Sequence, residues 1–237
     1  IPFVGDTRLV PRMGKYAELH CHSYFSFLDG VSSPEELAKR AAALGLSRLA
    51  ITDHDGLYGA MRFARAAERE GIKPVFGSEV ALADGSHIVL LARDDRGYAN
   101  LCRLLSYAHR RQPKGKAALD PLFLAEYSEG LICLSGGPDG PLSRLMLDNK
   151  YDAAYHLAKE MASWFTPGNF AIELQRQLRR KDYPLSSHLA ALADELDLPI
   201  VATGNVHYAF KQQARLQDVL VCIRHNTTLA EAGTLLR

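Results

Sequence analysis

The sequence predicts an α/β fold in which strands and helices alternate around a TIM-like (β/α) barrel. Seven short β-rich runs alternate with amphipathic helical stretches along the chain, which points to a parallel sheet. Side chains with metal-ligand chemistry fall at or near the ends of the first, second, third and last of these runs. A closed barrel brings such distant strands to one carboxyl-terminal rim, whereas an open sheet gathers its ligand at a single switch point.

The elements follow in order. YAELH reads as the first strand. The next helix has a clear start, with Ser33 as N-cap, Pro34 at the first helical position and Glu36 completing a capping box. Leu37, Ala41 and Leu44 then share a face, and Gly45 stops the helix. RLAIT is the second strand, followed by a helix with Ala60, Phe63, Ala64 and Ala67 at core spacing and Gly71 as its stop. KPVFGSEVAL and HIVLLA come next, then a helix around Tyr98 to Tyr107. GLICLSG precedes helices spanning Leu142 to Phe165, and FAIELQ precedes a helix through Leu189, Leu192, Ala193 and Leu196. IVATG is the last strand, before a helix carrying Leu216, Val219 and Leu220. QPKGK, from Gln112, is a surface loop, and no internal repeat or low-complexity segment interrupts the pattern.

Length and composition favour one large domain. The 237 residues are 47% hydrophobic and 23% charged, enough to bury a full core. A net charge of +1 gives no global field toward nucleic acid or membrane, so any polyanion contact must be local. Cys21, Cys102, Cys133 and Cys222 lack C-x-x-C spacing and sit in or beside apolar runs, which predicts reduced thiols in a soluble, cytoplasmic protein. No run is long and apolar enough to span a bilayer, and residues 1–15 read as an extended lead-in. Neither a G-x-G-x-x-G nor a Walker A pattern is present, which argues against a nucleotide cofactor.

The chemistry resides in scattered imidazoles and carboxylates: His20 and His22 in YAELHCH, Asp29 in FLDG, Asp53 and His54 in ITDHD, Glu79 in GSEV, and His207 in GNVHY. Residues two apart on a strand share a face, so His20 and His22 can offer both imidazoles to one cation while Cys21 faces away. One H-x-H is a weak signal, because a lone buried histidine is more often a satisfied core residue. The recurrence of acids and imidazoles at later strand ends points to one polynuclear metal site. Asp53 reads as an orienter of a ligand histidine rather than a ligand. Arg176, Arg179 and Arg180, with Lys181, follow FAIELQ where the rim should lie and are candidate phosphate contacts, although a charge run is usually a solvated face.

The ordered set HCH, FLDG, ITDHDGLYGA, GIKPVFGSE, HIVLLARDDRGYANL, ELQ and GNVHY resembles the polymerase and histidinol phosphatase (PHP) family. Within it, the set is most similar to the PHP domain that opens bacterial C-family DNA polymerase alpha chains, especially their error-prone branch. The resemblance runs from about Tyr16 to Arg237. It implies a distorted seven-stranded barrel over residues 16–225, with residues 226–237 starting a connection to a polymerase body, and up to three divalent ions, zinc or manganese, at the rim. On that pattern His20, His22, Glu79 and Asn205 hold one ion, and Asp29, His54 and His207 a second. Glu79 and His87 share a third with a cysteine. His20, His22, Glu79 and His207 would also be the catalytic residues.

Two positions depart from the family pattern. Its S-G-C cysteine is Gly137 here, and its aspartate before the last histidine is Asn205. An amide oxygen coordinates without negative charge, and glycine offers no ligand atom. The resemblance implies phosphoester hydrolysis, with the 3′ end of DNA as the natural substrate, in a domain of a polymerase of replication and damage-tolerant repair. It implies DNA and the remaining polymerase domains as partners, and no membrane. No segment here corresponds to a polymerase palm, so nucleotidyl transfer is not expected of these residues. Three readings stay open: a 3′ to 5′ exonuclease, a structural module with a weakened site, and a free-standing metal-dependent phosphatase of the same family.

Overall fold

The computed structural model describes residues 16–110, 112, 113, 115–177 and 182–236. The lead-in and Arg179, Arg180 and Lys181 lie outside the described residues. Six strands form one curled sheet, a half-barrel in the order β1 (Arg48–Ile51), β2 (Lys73–Ala81), β3 (His87–Ala92), β4 (Leu131–Leu134), β5 (Phe170–Gln175) and β6 (Ile200–Thr203). YAELH, expected as the first of seven strands, is instead part of a segment tied, with the adjoining Cys21, by two isolated parallel bridges, Glu18 to Leu49 and Cys21 to Val206. Ala50 N–H donates to the Glu18 carbonyl at 2.8 Å and His22 N–H to the Val206 carbonyl at 2.7 Å, so this segment links β1 to the chain just after β6.

The all-parallel expectation fails at β3, which runs antiparallel to both β2 and β4. The reason is local. Only residues 82–86 join β2 to β3, far too few for the crossover that parallel neighbours need. Gly85 takes φ +76° there, and Asp84 Oδ1 accepts hydrogen bonds from both the N–H and the hydroxyl of Ser86. Reversal has a consequence for the site. His87 opens β3 and pairs with Ala81 at the end of β2, so it arrives at the rim that carries Glu79.

Helix starts and stops follow the local chemistry. α1 (Pro34–Ala43) carries the complete Ser33/Glu36 capping box and buries Leu37, Ala38 and Ala41. α2 (Ala60–Glu70) ends on Gly71 in the left-handed region. Then come α3 (Asp95–Arg110), α4 (Pro121–Glu126), α5 (Pro141–Leu147), α6 (Tyr151–Trp164), α7 (Asp182–Glu195) and α8 (Ala214–Arg224). In α8 the inward side chains are Gln217, Val221 and Cys222, and Leu216 and Val219 are exposed. Among the described residues no helix is long and apolar enough to cross a membrane. The four cysteines are free thiols.

Strand periodicity divides the interior. Val80, Ile88, Leu90, Leu131, Cys133 and Ile172 face the helices in the largest buried cluster. The opposite face carries Ala50, Val89, Leu91, Leu134 and Ala171 in a smaller apolar layer. Val75 and Val201 pack against that layer, and continuing in steps of two β2, β3, β5 and β6 offer Glu79, His87, Glu173, Gln175 and Thr203. One sheet face is therefore greasy along its length and polar at one end.

Phe63 of α2 is fully buried and meets Phe76 edge-on with centroids 6.3 Å apart. Phe63→Ala is expected to cost about 3–5 kcal/mol in denaturant unfolding. Met61→Ala on the exposed side of the same helix should stay within about 0.5 kcal/mol.

Candidate metal centre

Loop and strand chemistry build the site in layers. The Ser23–Gly30 turn is drawn in by Asp53, 2% exposed, whose Oδ1 accepts from Ser23 N–H and Ser26 Oγ at 2.7 Å each and whose Oδ2 accepts from Ser23 Oγ at 2.8 Å. Ser26 spends its one hydroxyl proton on Asp53, so its oxygen accepts from His22 Nδ1–H at 3.0 Å. That fixes His22 as the Nδ1–H tautomer. Asp53 thus orients a histidine, as expected, but through a serine.

Two more histidines are anchored in the same sense. His20 Nδ1 donates to Glu173 Oε1 at 2.8 Å, and His207 Nδ1 donates to the Asn205 carbonyl at 2.7 Å. Asn205 adopts φ +47° to turn that carbonyl, a conformation that asparagine and aspartate tolerate better than other side chains. All three rings therefore turn Nε2 toward one space. His20 Nε2 and His22 Nε2 are buried without a hydrogen-bond partner and lie 3.6 and 3.3 Å from Glu79 Oε2. His207 Nε2 lies 3.2 Å from Asp29 Oδ2.

His54 joins the two halves. Its Nδ1 is 2.9 Å from Glu79 Oε2 and its Nε2 2.9 Å from Asp29 Oδ2. His87, about one-third exposed, sits at the mouth with Nδ1 3.5 Å from Glu79 Oε1. The ring of His22 packs against those of His54 and His207 at centroid distances of 4.5 and 4.7 Å. The expected ligands His20, His22, Asp29, His54, Glu79, His87 and His207 thus converge. Asn205 meets the site through its backbone carbonyl at His207 Nδ1, and its buried Oδ1 lacks a hydrogen-bond partner.

Charges follow from this crowding. Burial opposes protonation of His20, but Glu173 and Glu79 outweigh it and push its pKa up to about 10. His54 behaves alike: burial acts downward, Glu79 and Asp29 act upward, and the result is again about 10. His22 is held well below the usual imidazole range by burial and by His54 and His207. Burial works against the Glu79 carboxylate too, yet the surrounding imidazoles, His54 foremost, keep its pKa well below normal.

These residues fit a divalent cation. The ligand atoms of His20, His22 and Glu79 lie within 4.8 Å of one another, and imidazoles with a carboxylate are a donor set that divalent ions accept. The position of the absent cysteine is closed differently. A Cβ on Gly137 would lie 2.6 Å from Gln175 Cδ, so the Gln175 amide occupies the room of a side chain at 137.

Several participants besides Ser23 and Ser26 were not singled out from sequence. Glu173, Gln175 and Thr203 form a buried polar group under His20. Glu173 had a signal, a lone acid inside the apolar strand FAIELQ. Arg224, in the last turn of α8, places Nη1 3.1 Å from Asp29 Oδ2 and had no distinguishing pattern. Arg176 is exposed, with its guanidinium 5.2 Å from the Tyr183 ring centroid.

Comparison with known proteins agrees with this geometry. A family model described as PHP domain matches residues 18–177. The error-prone DNA polymerase of Symbiobacterium thermophilum is 38% identical over 230 residues, covering 90% of this chain and 21% of its own length. The error-prone DNA polymerase of Pseudomonas fluorescens is 41% identical over 223 residues (93% and 20%), and the DNA polymerase III subunit alpha of Treponema pallidum 35% over 222 (88% and 19%). The chain therefore spans about a fifth of the length of these relatives. An amidohydrolase from Chromobacterium violaceum shares the fold, with a TM-score of 0.56 at 19% identity, covering 81% of this chain and 87% of that one. Because the family match takes in more than half of the chain, from the segment that carries His20 to the end of β5, this chain belongs to the PHP domain family.

Proposed function

We propose that this chain is the PHP domain of an error-prone DNA polymerase, that its rim binds one to three zinc or manganese ions, and that its phosphoesterase site is weakened. The observation that carries this reading is the convergence of His20, His22 and His207 Nε2 atoms on Glu79 and Asp29, each ring anchored through Nδ1. The DNA polymerase relatives support DNA as the polyanion presented to the site and a cytoplasmic setting. Its substrate on this reading is the 3′ end of a DNA strand.

Bound divalent ions would supply a water of lowered pKa and neutralise charge on phosphoryl oxygens. His20, His22 and Glu79, with the amide oxygen of Asn205, form one ligand group. Asp29, His54 and His207 form the other, and Glu79 touches both. Arg224, half-exposed beside Asp29, is placed to donate to a phosphoryl oxygen once a cation claims that carboxylate. Two features weaken hydrolysis: Asn205 removes an anionic ligand, and Gln175 fills the place where residue 137 would contribute one. The domain then serves mainly as a metal-stabilised structural module of the polymerase.

Zinc or manganese added to chelator-stripped protein is expected to raise the melting temperature, with about 2.7 kcal/mol gained at a hundredfold excess over Kd. His54→Ala should lower both metal content and that gain. Melting unchanged by metal in the wild-type protein would remove the metal reading.

Proton linkage has a definite sign. In the metal-free protein the ion pairs of His20 and His54 contribute fully below the ordinary histidine pKa of 6.5 and are lost as pH rises through about 10. A cation must displace those protons, so metal affinity should be tighter at pH 8 than at pH 6, with proton release visible as buffer-dependent heats in calorimetry.

On a labelled primer, the wild-type domain should show little 3′ to 5′ hydrolysis. Gly137→Cys alone should not help, because its side chain meets Gln175. Asn205→Asp with Gly137→Cys and Gln175→Ala is expected to raise hydrolysis about tenfold or more, equal to about 1.4 kcal/mol of barrier. Efficient chelator-sensitive degradation by the wild-type domain would establish the exonuclease reading instead.

A further inference from the structure

Glu173 is as deeply buried as Asp29, 1% exposed, and lies on the strand next to β6. One of its oxygens is saturated. Oε1 accepts from His20 Nδ1 at 2.8 Å, from Gln175 Nε2 at 2.9 Å and from the Thr203 hydroxyl. The other, Oε2, is buried without a hydrogen-bond partner. Its backbone N–H is pinned to Ser135 Oγ at 2.9 Å, which fixes where the carboxylate stands relative to β4.

A purely structural polar group gains nothing from this arrangement. Burying a carboxylate costs several kcal/mol unless a charge partner offsets it, and glutamine could accept from the same donors without that cost. What a carboxylate alone provides is a full negative charge behind His20. Three converging donors also hold it rigidly, so a His20 ring turned over would set a C–H edge against it. The amide of Gln175, which fills the space beside Gly137, is thereby tied to the same oxygen as His20.

We propose that Glu173 is the positioning residue of this site: it holds His20 as the Nδ1–H tautomer with Nε2 aimed at Glu79 and His22, and it delivers through that imidazole the negative charge that Asn205 does not supply. This rests on the metal-binding reading above. Carboxylates that accept from the second nitrogen of a ligand histidine raise its basicity and fix its orientation, and their loss commonly weakens metal affinity about 10- to 100-fold.

The experiment is calorimetric titration of zinc into chelator-stripped protein, comparing the wild type with Glu173→Gln, Glu173→Ala and Glu173→Gln/Asn205→Asp. Folding of each stripped form is followed by circular dichroism and melting. Glu173→Gln is expected to weaken zinc binding about 10- to 100-fold while the stripped protein stays folded, and Glu173→Ala at least as much. Asn205→Asp should recover part of the loss, because it returns a negative charge to the ligand group. A lower melting temperature of the stripped variant with wild-type zinc affinity would mark a structural role and overturn the proposal, leaving the metal reading intact. Absence of recovery by Asn205→Asp would overturn its charge component. A wild-type protein that takes no zinc would overturn the metal reading, and this proposal with it.

Discussion

The rest of the site depends on one buried carboxylate, Glu79, held among the imidazoles of His20, His22, His54 and His87. A single acid at 9% exposure cannot sit among four rings for packing alone. Without a cation it stays ionised because His54, His20 and His87 stabilise its charge, and on the proposed reading a cation would make it a shared ligand. β2 is the longest strand, and its length carries Glu79 beyond the apolar layer to the rim. The antiparallel return of β3 brings His87 to the same height, and the bridged segment between β1 and Val206 brings His20 and His22.

Anchoring from below recurs around this centre. His20 rests on Glu173, His22 on Ser26 and through it on Asp53, and His207 on a backbone carbonyl. These anchors differ in kind, a charge, a hydroxyl and an amide, yet each consumes Nδ1–H. The outcome is a set of Nε2 atoms aimed at one space before any ion arrives. Such preorganisation limits the ordering that binding must impose.

Much of this was legible in the sequence, because ligand types at strand ends and the H-x-H spacing report directly on face and rim. The Ser33 capping box and the glycine stops were legible for the same reason: their chemistry is local. What escaped was set by contacts across the fold. The reversal of β3 turns on the brevity of residues 82–86, which the strand-helix alternation masked. YAELH has strand-like alternation, but its pairing is spread thinly over two partners and yields only bridges. Glu173 looked like one acid in an apolar strand, and nothing local to it named His20 as its partner 153 residues away. Arg224 reads as an ordinary basic residue in a helix's last turn, and only the path of α8 aims it at Asp29. Gly137 read as a missing ligand, and the structure adds that Gln175 has taken its room.

On the proposed reading, three Nδ1 anchors present three Nε2 atoms to a bound metal. Long-range proton–nitrogen correlation spectra of the histidine rings in zinc-loaded, nitrogen-15-labelled protein test it most directly. Metal-shifted Nε2 resonances are expected for His20, His22 and His207, with the Nδ1 proton retained in each. Coordination through Nδ1 in any of the three, or rings whose resonances do not respond to zinc, would contradict it.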